Sequence, residues 1–230
     1  MNNTQTSAIT VAYQGIEGAY SHLACKTFFP EYTALACENF QTAIHLVEKG
    51  NADFAMIPLE NSTAGRVEEI YRLLPKTHLH IIGEHFEPVN HCLLALPGIK
   101  LEQIKTVASH PQALAQCFHR LEDLNITPLV AIDTALSAKD LASKKESVSL
   151  YGSHGAIAST LAAELYGLNI ISENKYQELS LRYGHLFEAS IGADAVFHLL
   201  SRINLEKTVA QLTEEQQQVR LYGRRGDRLK

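Results

Sequence analysis

Strand-like and helix-like patterns alternate along this chain, and no other feature narrows its fold as much. "ITVAYQG" has the apolar, β-branched character of a strand ending at Gly15, and "AYSHLACKTFF" follows with helical spacing of its apolar residues. "TALAC" predicts a second strand, "NFQTAIHLVEKG" an amphipathic helix stopped by Gly50, and "DFAMIPL" a third strand halting at Pro58. After Pro75, "HLHIIGEHFEPVNHCLLAL" reads as two strands, the first mostly alternating and the second apolar. "TVAS" is a further strand, and its helix begins at Pro111, a residue suited to the first helical position. "TPLVAI" leads into the helix "DTALSAKDLASKK", opened by Asp133, and "SVSLYG" with "GAIASTLAAELYG" repeats the theme, with Gly167 as its stop. Such alternation predicts an α/β protein with mainly parallel sheets.

Four turns from strand into helix share small polar groups or glycine: "QGIEGAYS", "PLENSTAG", "ASHPQA" and "AIDTALS". In open α/β sheets ligands bind beyond the carboxyl ends of the strands, where helix starts present unpaired N–H groups and a favourable dipole. Any one of these turns is explained as an ordinary cap. "PLENSTAG" exceeds that need, because one of Glu60, Asn61, Ser62 and Thr63 would suffice to cap a helix. Taken together the four suit a small anion. "GIEGAYS" departs from both G-x-G-x-x-G and the phosphate-binding loop, so a nucleotide is not expected.

Composition removes other classes. A chain of 230 residues with 46% hydrophobic content can bury a sizeable core, and a net charge of -5 with pI near 6.1 lacks the basic stripe of a nucleic-acid binder. The opening "MNNTQTSAIT" has no signal-peptide pattern and no apolar run reaches membrane-span length, so a cytoplasmic protein with no membrane partner is expected. Cys25, Cys37, Cys92 and Cys117 sit among apolar neighbours without C-x-x-C spacing, which predicts buried, reduced thiols. His78 and His80 lack partners at zinc-like spacing, and no metal site is expected.

In combination, "VAYQGIEGAYS", "FAMIPLENSTAGRV", "HCLLAL", "VASHPQALAQC", "DTALSAKDLA" and "AIASTLAAELYGL", in this order from about Val11 to Ile171, resemble the prephenate dehydratase family. The resemblance implies two Rossmann-like α/β lobes around a central cleft, similar to the type 2 periplasmic-binding-protein architecture. The first lobe would span residues 8–86 and 171–190, the second 87–170, and residues 191–230 would form a short C-terminal remnant or tail. It also implies conversion of prephenate to phenylpyruvate with loss of water and carbon dioxide, in L-phenylalanine biosynthesis, without metal or redox cofactor, by a homodimer. Residue by residue, Asn61 and Gln112 match the family's catalytic positions, and Ser62, Ser109 and Thr134 match polar positions of the same cleft. Ser21 is a weaker match, while Glu60 and His110 fall behind them as supporting groups.

The resemblance stops short of one motif. Family members carry Asn-x-Thr-Arg-Phe after the strand that follows "AAELYGL", with Thr as proton donor and Arg as a carboxylate ligand. Here the region reads "ISENKYQELSLRYGHLF"; pairing Arg182 and Tyr183 with Arg-Phe puts Leu181 at the Thr position, and Arg182 is then the candidate carboxylate ligand. Two readings follow: a working dehydratase, and a binding or sensor protein that keeps the cleft without its proton donor. "AVFHLLSRINLEK" resembles only a small part of the family's phenylalanine-binding regulatory domain, a helix followed by Ile-Asn-Leu-x-Lys, which predicts weak or absent feedback by phenylalanine.

Overall fold

A computed structural model describes residues 9–61, 64–143, 153–173 and 194–201. The first half contains β1 (Thr10–Gln14), α1 (Tyr20–Phe28), β2 (Thr33–Cys37), α2 (Phe40–Lys49), β3 (Phe54–Asn61), β4 (Gly65–Arg66), α3 (Glu68–Leu73) and β5 (His80–Pro88). It continues with β6 (Cys92–Ala95), β7 (Ile104–Ser109), α4 (Pro111–Gln116), α5 (Phe118–Asp123), β8 (Thr127–Val130) and α6 (Thr134–Ser143). Last come β9 (Ser153–Ala158), α7 (Thr160–Tyr166), β10 (Asn169–Glu173) and β11 (Asp194–Ser201).

These strands form two sheets, ordered β2-β1-β3-β11-β5 and β10-β6-β9-β7-β8, with β4 folded back on β3. Each is the centre of one lobe. In the first, alternate residues of each strand feed opposite faces, as a period of two requires. Val11, Tyr13 and Met56 pack with Ala24 and Cys25 of α1, whereas Ala12, Ala55 and Ile57 pack with Ala43, Ile44 and Val47 of α2. The second lobe repeats the device. Leu93, Val107 and Ile157 meet Ala113 and Leu114 of α4, and Leu94, Ala156 and Ala158 meet Ala138 of α6 and Ala162 of α7.

The sheets are mixed rather than mainly parallel. β1 is parallel to β2 and β3, and β7 to β8 and β9, but β11 is antiparallel to β3 and β5, and β6 to β9 and β10. The chain passes from β5 in the first sheet to β6 in the second through residues 89–91, with no helix between the two strands. It leaves the first sheet after Pro88 and enters the second at Cys92. The return differs from the expected boundary: residues 171–173 pair with β6 in the second sheet, and residues 194–201, placed by the sequence in a C-terminal remnant, pair between β3 and β5 in the first. The stretch "AVFHLL", expected to resemble a helix, is therefore strand.

Three further expectations change. β3 does not halt at Pro58 but continues to Asn61; its pairing with β1 ends at Met56, so the missing N–H of Pro58 breaks no ladder on that side. Gly65 lies in β4, opposite Asn61, instead of opening the next helix. Gly155–Ala158, read as the beginning of a helix, is buried strand, because a short apolar run carries no period of its own until its neighbours are known. The helix from Pro111 starts where expected and then breaks at Cys117 into α4 and α5. Gly50 and Gly167 end α2 and α7 in the left-handed conformation, as their positions predict. All four cysteines are buried, and none is in a disulfide. "SVSLYG" lies outside the described residues.

Candidate functional site

The carboxyl ends of β1, β3, β7 and β8 open onto one cleft between the lobes, with a cavity volume of about 440 Å³. All four turns singled out in the sequence contribute to its walls. Gln14, Gly15, Ala19, Tyr20 and Ser21 come from the first, Pro58, Glu60 and Asn61 from the second, His110 and Gln112 from the third, and Asp133 and Thr134 from the fourth. Three helix starts, those of α1, α4 and α6, therefore border one space, and each contributes amide N–H groups that no turn of helix satisfies.

Each turn is built locally. Asn61 ends β3, and its Oδ1 accepts the amide of Ala64 at 2.9 Å, closing the hairpin to β4. His110 caps α4 through Nδ1, which accepts the Gln112 amide at 3.2 Å, and Pro111 occupies the first helical position. Asp133 caps α6 by accepting the Leu136 amide at Oδ1, 2.8 Å away. The first turn is the most heavily tied. Gly18 donates its amide to His22 Nδ1 at 3.0 Å, and the His22 ring stacks on Tyr13 at 5.1 Å with 2° between the planes.

That same turn joins the lobes. The Ser159 hydroxyl, at the start of α7, donates to the Gly18 carbonyl at 2.6 Å and accepts the Ala162 amide at 3.0 Å; the Tyr166 hydroxyl donates to the Glu17 carbonyl at 2.6 Å. Gly18 has φ +87°, and a Cβ there would lie 3.0 Å from both Cα and Cβ of Ala162. Only a residue without a side chain lets the turn and α7 approach this closely. On the other wall, the Tyr20 hydroxyl lies 2.9 Å from the Asn90 carbonyl and 2.9 Å from His91 Nδ1, while His91 Nε2 lies 2.6 Å from Gln116 Oε1. Burial lowers the pKa of His91, and its bond to Gln116 offsets part of that; the ring is therefore neutral at pH 7. Burial also raises the Tyr20 pKa well above its ordinary value, so the phenol keeps its proton.

Of the residues named from the sequence, Ser21, Asn61, Gln112 and Thr134 line the cleft, and so do Glu60 and His110. Ser109 does not. Its side chain is fully buried and donates to the Ile157 carbonyl at 2.7 Å, which makes it a bond between β7 and β9. Ser62, Arg182 and Leu181 lie outside the described residues. The sequence reading missed Tyr20, His91, Gln116 and Asp133 as cleft residues. Gln116 had a signal, since it follows Gln112 by four positions and so shares its helix face; Tyr20 and Asp133 stood within the quoted turns. His91 had none, because its partners are 71 residues upstream and 25 downstream. Among the described residues no group of His, Cys, Asp and Glu could hold a metal ion, and no helix is long and apolar enough to cross a membrane.

The geometry agrees with what comparison with known proteins finds. The family model for prephenate dehydratase matches residues 11–179. Arogenate dehydratase/prephenate dehydratase 1, chloroplastic, of Arabidopsis thaliana is 46% identical over 169 residues, covering 73% of this chain and 42% of that protein. The bifunctional N-acyl-homoserine lactone acylase/prephenate dehydratase of Komagataeibacter europaeus is 44% identical over 166 residues, covering 71% of this chain and 57% of that protein. Among solved structures, prephenate dehydratase from Arthrobacter aurescens in complex with L-Phe superposes with a TM-score of 0.69 at 29% identity, over 85% of this chain and 61% of that one. The chain thus spans about half the length of the curated relatives it matches. Two α/β lobes, a cleft walled by the four sequence motifs and a family match across most of the chain lead to one conclusion: this chain belongs to the prephenate dehydratase family.

Proposed function

We propose that the cleft takes a cyclohexadienyl dicarboxylate of the prephenate and arogenate type and removes its ring carboxylate and ring hydroxyl together. With prephenate the product is phenylpyruvate, on the route to L-phenylalanine. The observation that carries this reading is the convergence of three helix starts and the Asn61 hairpin on one space of about 440 Å³. In the reaction the bond from the ring to its carboxylate breaks, carbon dioxide leaves, and the electron pair enters the ring. The bond to the hydroxyl breaks as that oxygen takes a proton and departs as water. Aromatisation supplies the driving force, so the protein has to orient two carboxylates and deliver one proton. Helix-start N–H groups and the amides of Asn61 and Gln112 suit the first task, with Ser62 and Arg182 as further carboxylate ligands. Among the described residues, the hydroxyls of Ser21 and Thr134 are candidate donors for the second.

The test is to incubate the purified chain with prephenate and follow phenylpyruvate absorbance in alkali. Turnover well above the spontaneous rate, cut at least tenfold in kcat/KM by Gln112→Ala with unchanged stability, supports the reading; folded protein that adds nothing to the spontaneous rate refutes it. A second reading rests on Leu181 at the position of the family's Thr: a clamp that binds without turnover. Calorimetric binding of prephenate without product would select it, and gain of activity in Leu181→Thr would locate the missing hydroxyl. By the same family resemblance the protein acts as a homodimer, which sedimentation would test.

A further inference from the structure

We propose that His91 is the group through which this cleft takes up the proton its reaction consumes, and that the Tyr20 hydroxyl relays it to the departing ring hydroxyl; this rests on the dehydratase reading above. Prephenate enters as a dianion and leaves as carbon dioxide, water and the phenylpyruvate monoanion, so each turnover takes one proton from solvent. A serine or threonine hydroxyl beside the leaving group gives its proton once and must then be refilled, whereas an imidazole exchanges protons with water near neutral pH.

Tyr20 and His91 both line the cleft, one from the start of α1 and the other from the crossing between the lobes. Their contacts hold a place for one more proton than the neutral ring carries. Gln116 turns Oε1, an acceptor, to His91 Nε2 at 2.6 Å, so that nitrogen bears a hydrogen. Tyr20 donates its own hydrogen to the Asn90 carbonyl at 2.9 Å, and His91 Nδ1 lies 2.9 Å from the same phenol oxygen. With a neutral ring, Nδ1 is bare and the single phenol hydrogen faces two acceptors. With an imidazolium every contact in the row has one hydrogen: Nε2–H to Oε1, Nδ1–H to the phenol oxygen, and the phenol to Asn90.

In the free protein burial outweighs that gain, and the ring is neutral at pH 7. A substrate that brings two carboxylates into the same cleft reverses the balance, because nearby negative charge favours the protonated ring. Among the described residues, the titratable groups that meet this pair are Glu87 at the end of β5, Cys92 in β6 and Cys117 after α4, and each of them opposes a phenolate at Tyr20. Tyr20 therefore hands on its hydrogen as Nδ1 replaces it. The Nδ1–H bond breaks toward Tyr20, and the Tyr20 O–H bond breaks toward the ring hydroxyl. That oxygen leaves as water with the electron pair of its bond to carbon, while the pair from the broken carboxylate bond completes the aromatic ring. His91 is left neutral, with its hydrogen on Nε2, and is recharged from solvent.

The experiment is the pH dependence of kcat for prephenate in the full chain, in Tyr20→Phe, and in His91→Gln, which keeps an amide in place of the ring but does not titrate. Wild-type kcat should fall about tenfold per pH unit above the apparent pKa of the substrate complex. Both variants, melting as wild type does, should lose at least tenfold in kcat with KM changed less than threefold, and His91→Gln should also lose the pH dependence. Binding gives a second measurement that needs no turnover. Prephenate titrated into Tyr20→Phe at about pH 7.5, in buffers of different ionisation enthalpy, should take up about half a proton or more, and the double variant with His91→Gln should take up none. A flat wild-type kcat between about pH 6 and 9, a His91→Gln variant with the wild-type profile, or binding without proton uptake overturns the proposal. Folded wild type that turns nothing over refutes the dehydratase reading, and the uptake measurement then decides His91 by itself.

Discussion

Replacing Gly18 by alanine should damage this protein more than the same change at Gly98, although the two glycines have nearly the same backbone conformation, φ +87° and φ +88°. At Gly98 a Cβ would meet nothing within 4 Å, so Gly98→Ala costs only the strain of a side chain in the left-handed region, about 1–2 kcal/mol. At Gly18 the new Cβ would lie 3.0 Å from the Cα of Ala162, a backbone atom on a helix that cannot rotate aside. The turn and α7 must separate, which adds an overpacking cost of about 1–3 kcal/mol. Separation also lengthens the 2.6 Å bond from Ser159 to the Gly18 carbonyl, and a buried acceptor left without its donor costs about 1–3 kcal/mol more. Gly18→Ala should therefore lose about 3–8 kcal/mol. Urea unfolding of both variants and wild type measures this directly, with m checked for constancy so that midpoints can be compared. If the two variants differ by less than about 1 kcal/mol, the close approach of the lobes at Gly18 is not what the glycine is for.

Ser159→Ala removes both an N-cap acceptor and the donor to Gly18, and should cost about 2–4 kcal/mol in the same urea assay; under about 1 kcal/mol would show that water replaces both bonds. Burial lowers the pKa of His22 and His91 below the ordinary histidine value. Above pH 6.5 both rings are neutral whether the chain is folded or not, so nothing is lost there. Below it the unfolded chain binds protons that the folded one refuses, and stability should fall as pH drops from about 6.5 to 5.5; a flat or rising stability in that window contradicts the burial of these rings. All four cysteines are buried, and burial pushes the Cys25 thiol up to about 12, so a thiol reagent at pH 8 should label none of them rapidly until denaturant is added.

The residues that give this protein its local structure are readable in the sequence because their physics is local. β1, β2 and α2 form where the apolar spacing and the glycine stop place them, and Asp133, Ser159 and Asn39 cap the helices that follow them. The four polar turns could likewise be picked out, three as strand ends followed by helix starts and the one at Asn61 as a polar strand end, which the structure turns into a hairpin. Their convergence on one cleft follows from the parallel strands, β1 with β3 in one lobe and β7 with β8 in the other, each pair delivering its carboxyl ends to one edge.

What the sequence could not supply depends on which chain segments become neighbours. Ser109 and Ser159 look alike, a serine between a strand and a helix, yet one is spent on the carbonyl of Ile157 within its lobe and the other reaches across to Gly18, 141 residues away. Residues 194–201 are too weakly patterned to announce a strand, and they become one because β3 and β5 leave a ladder open between them. His91 enters the cleft only because the crossing between lobes sets it between Tyr20 and Gln116. Capping and periodicity act over a few residues and are written where they act. Pairing and close approach are set by distances in space, and for this protein only the folding of two sheets against one cleft fixed them.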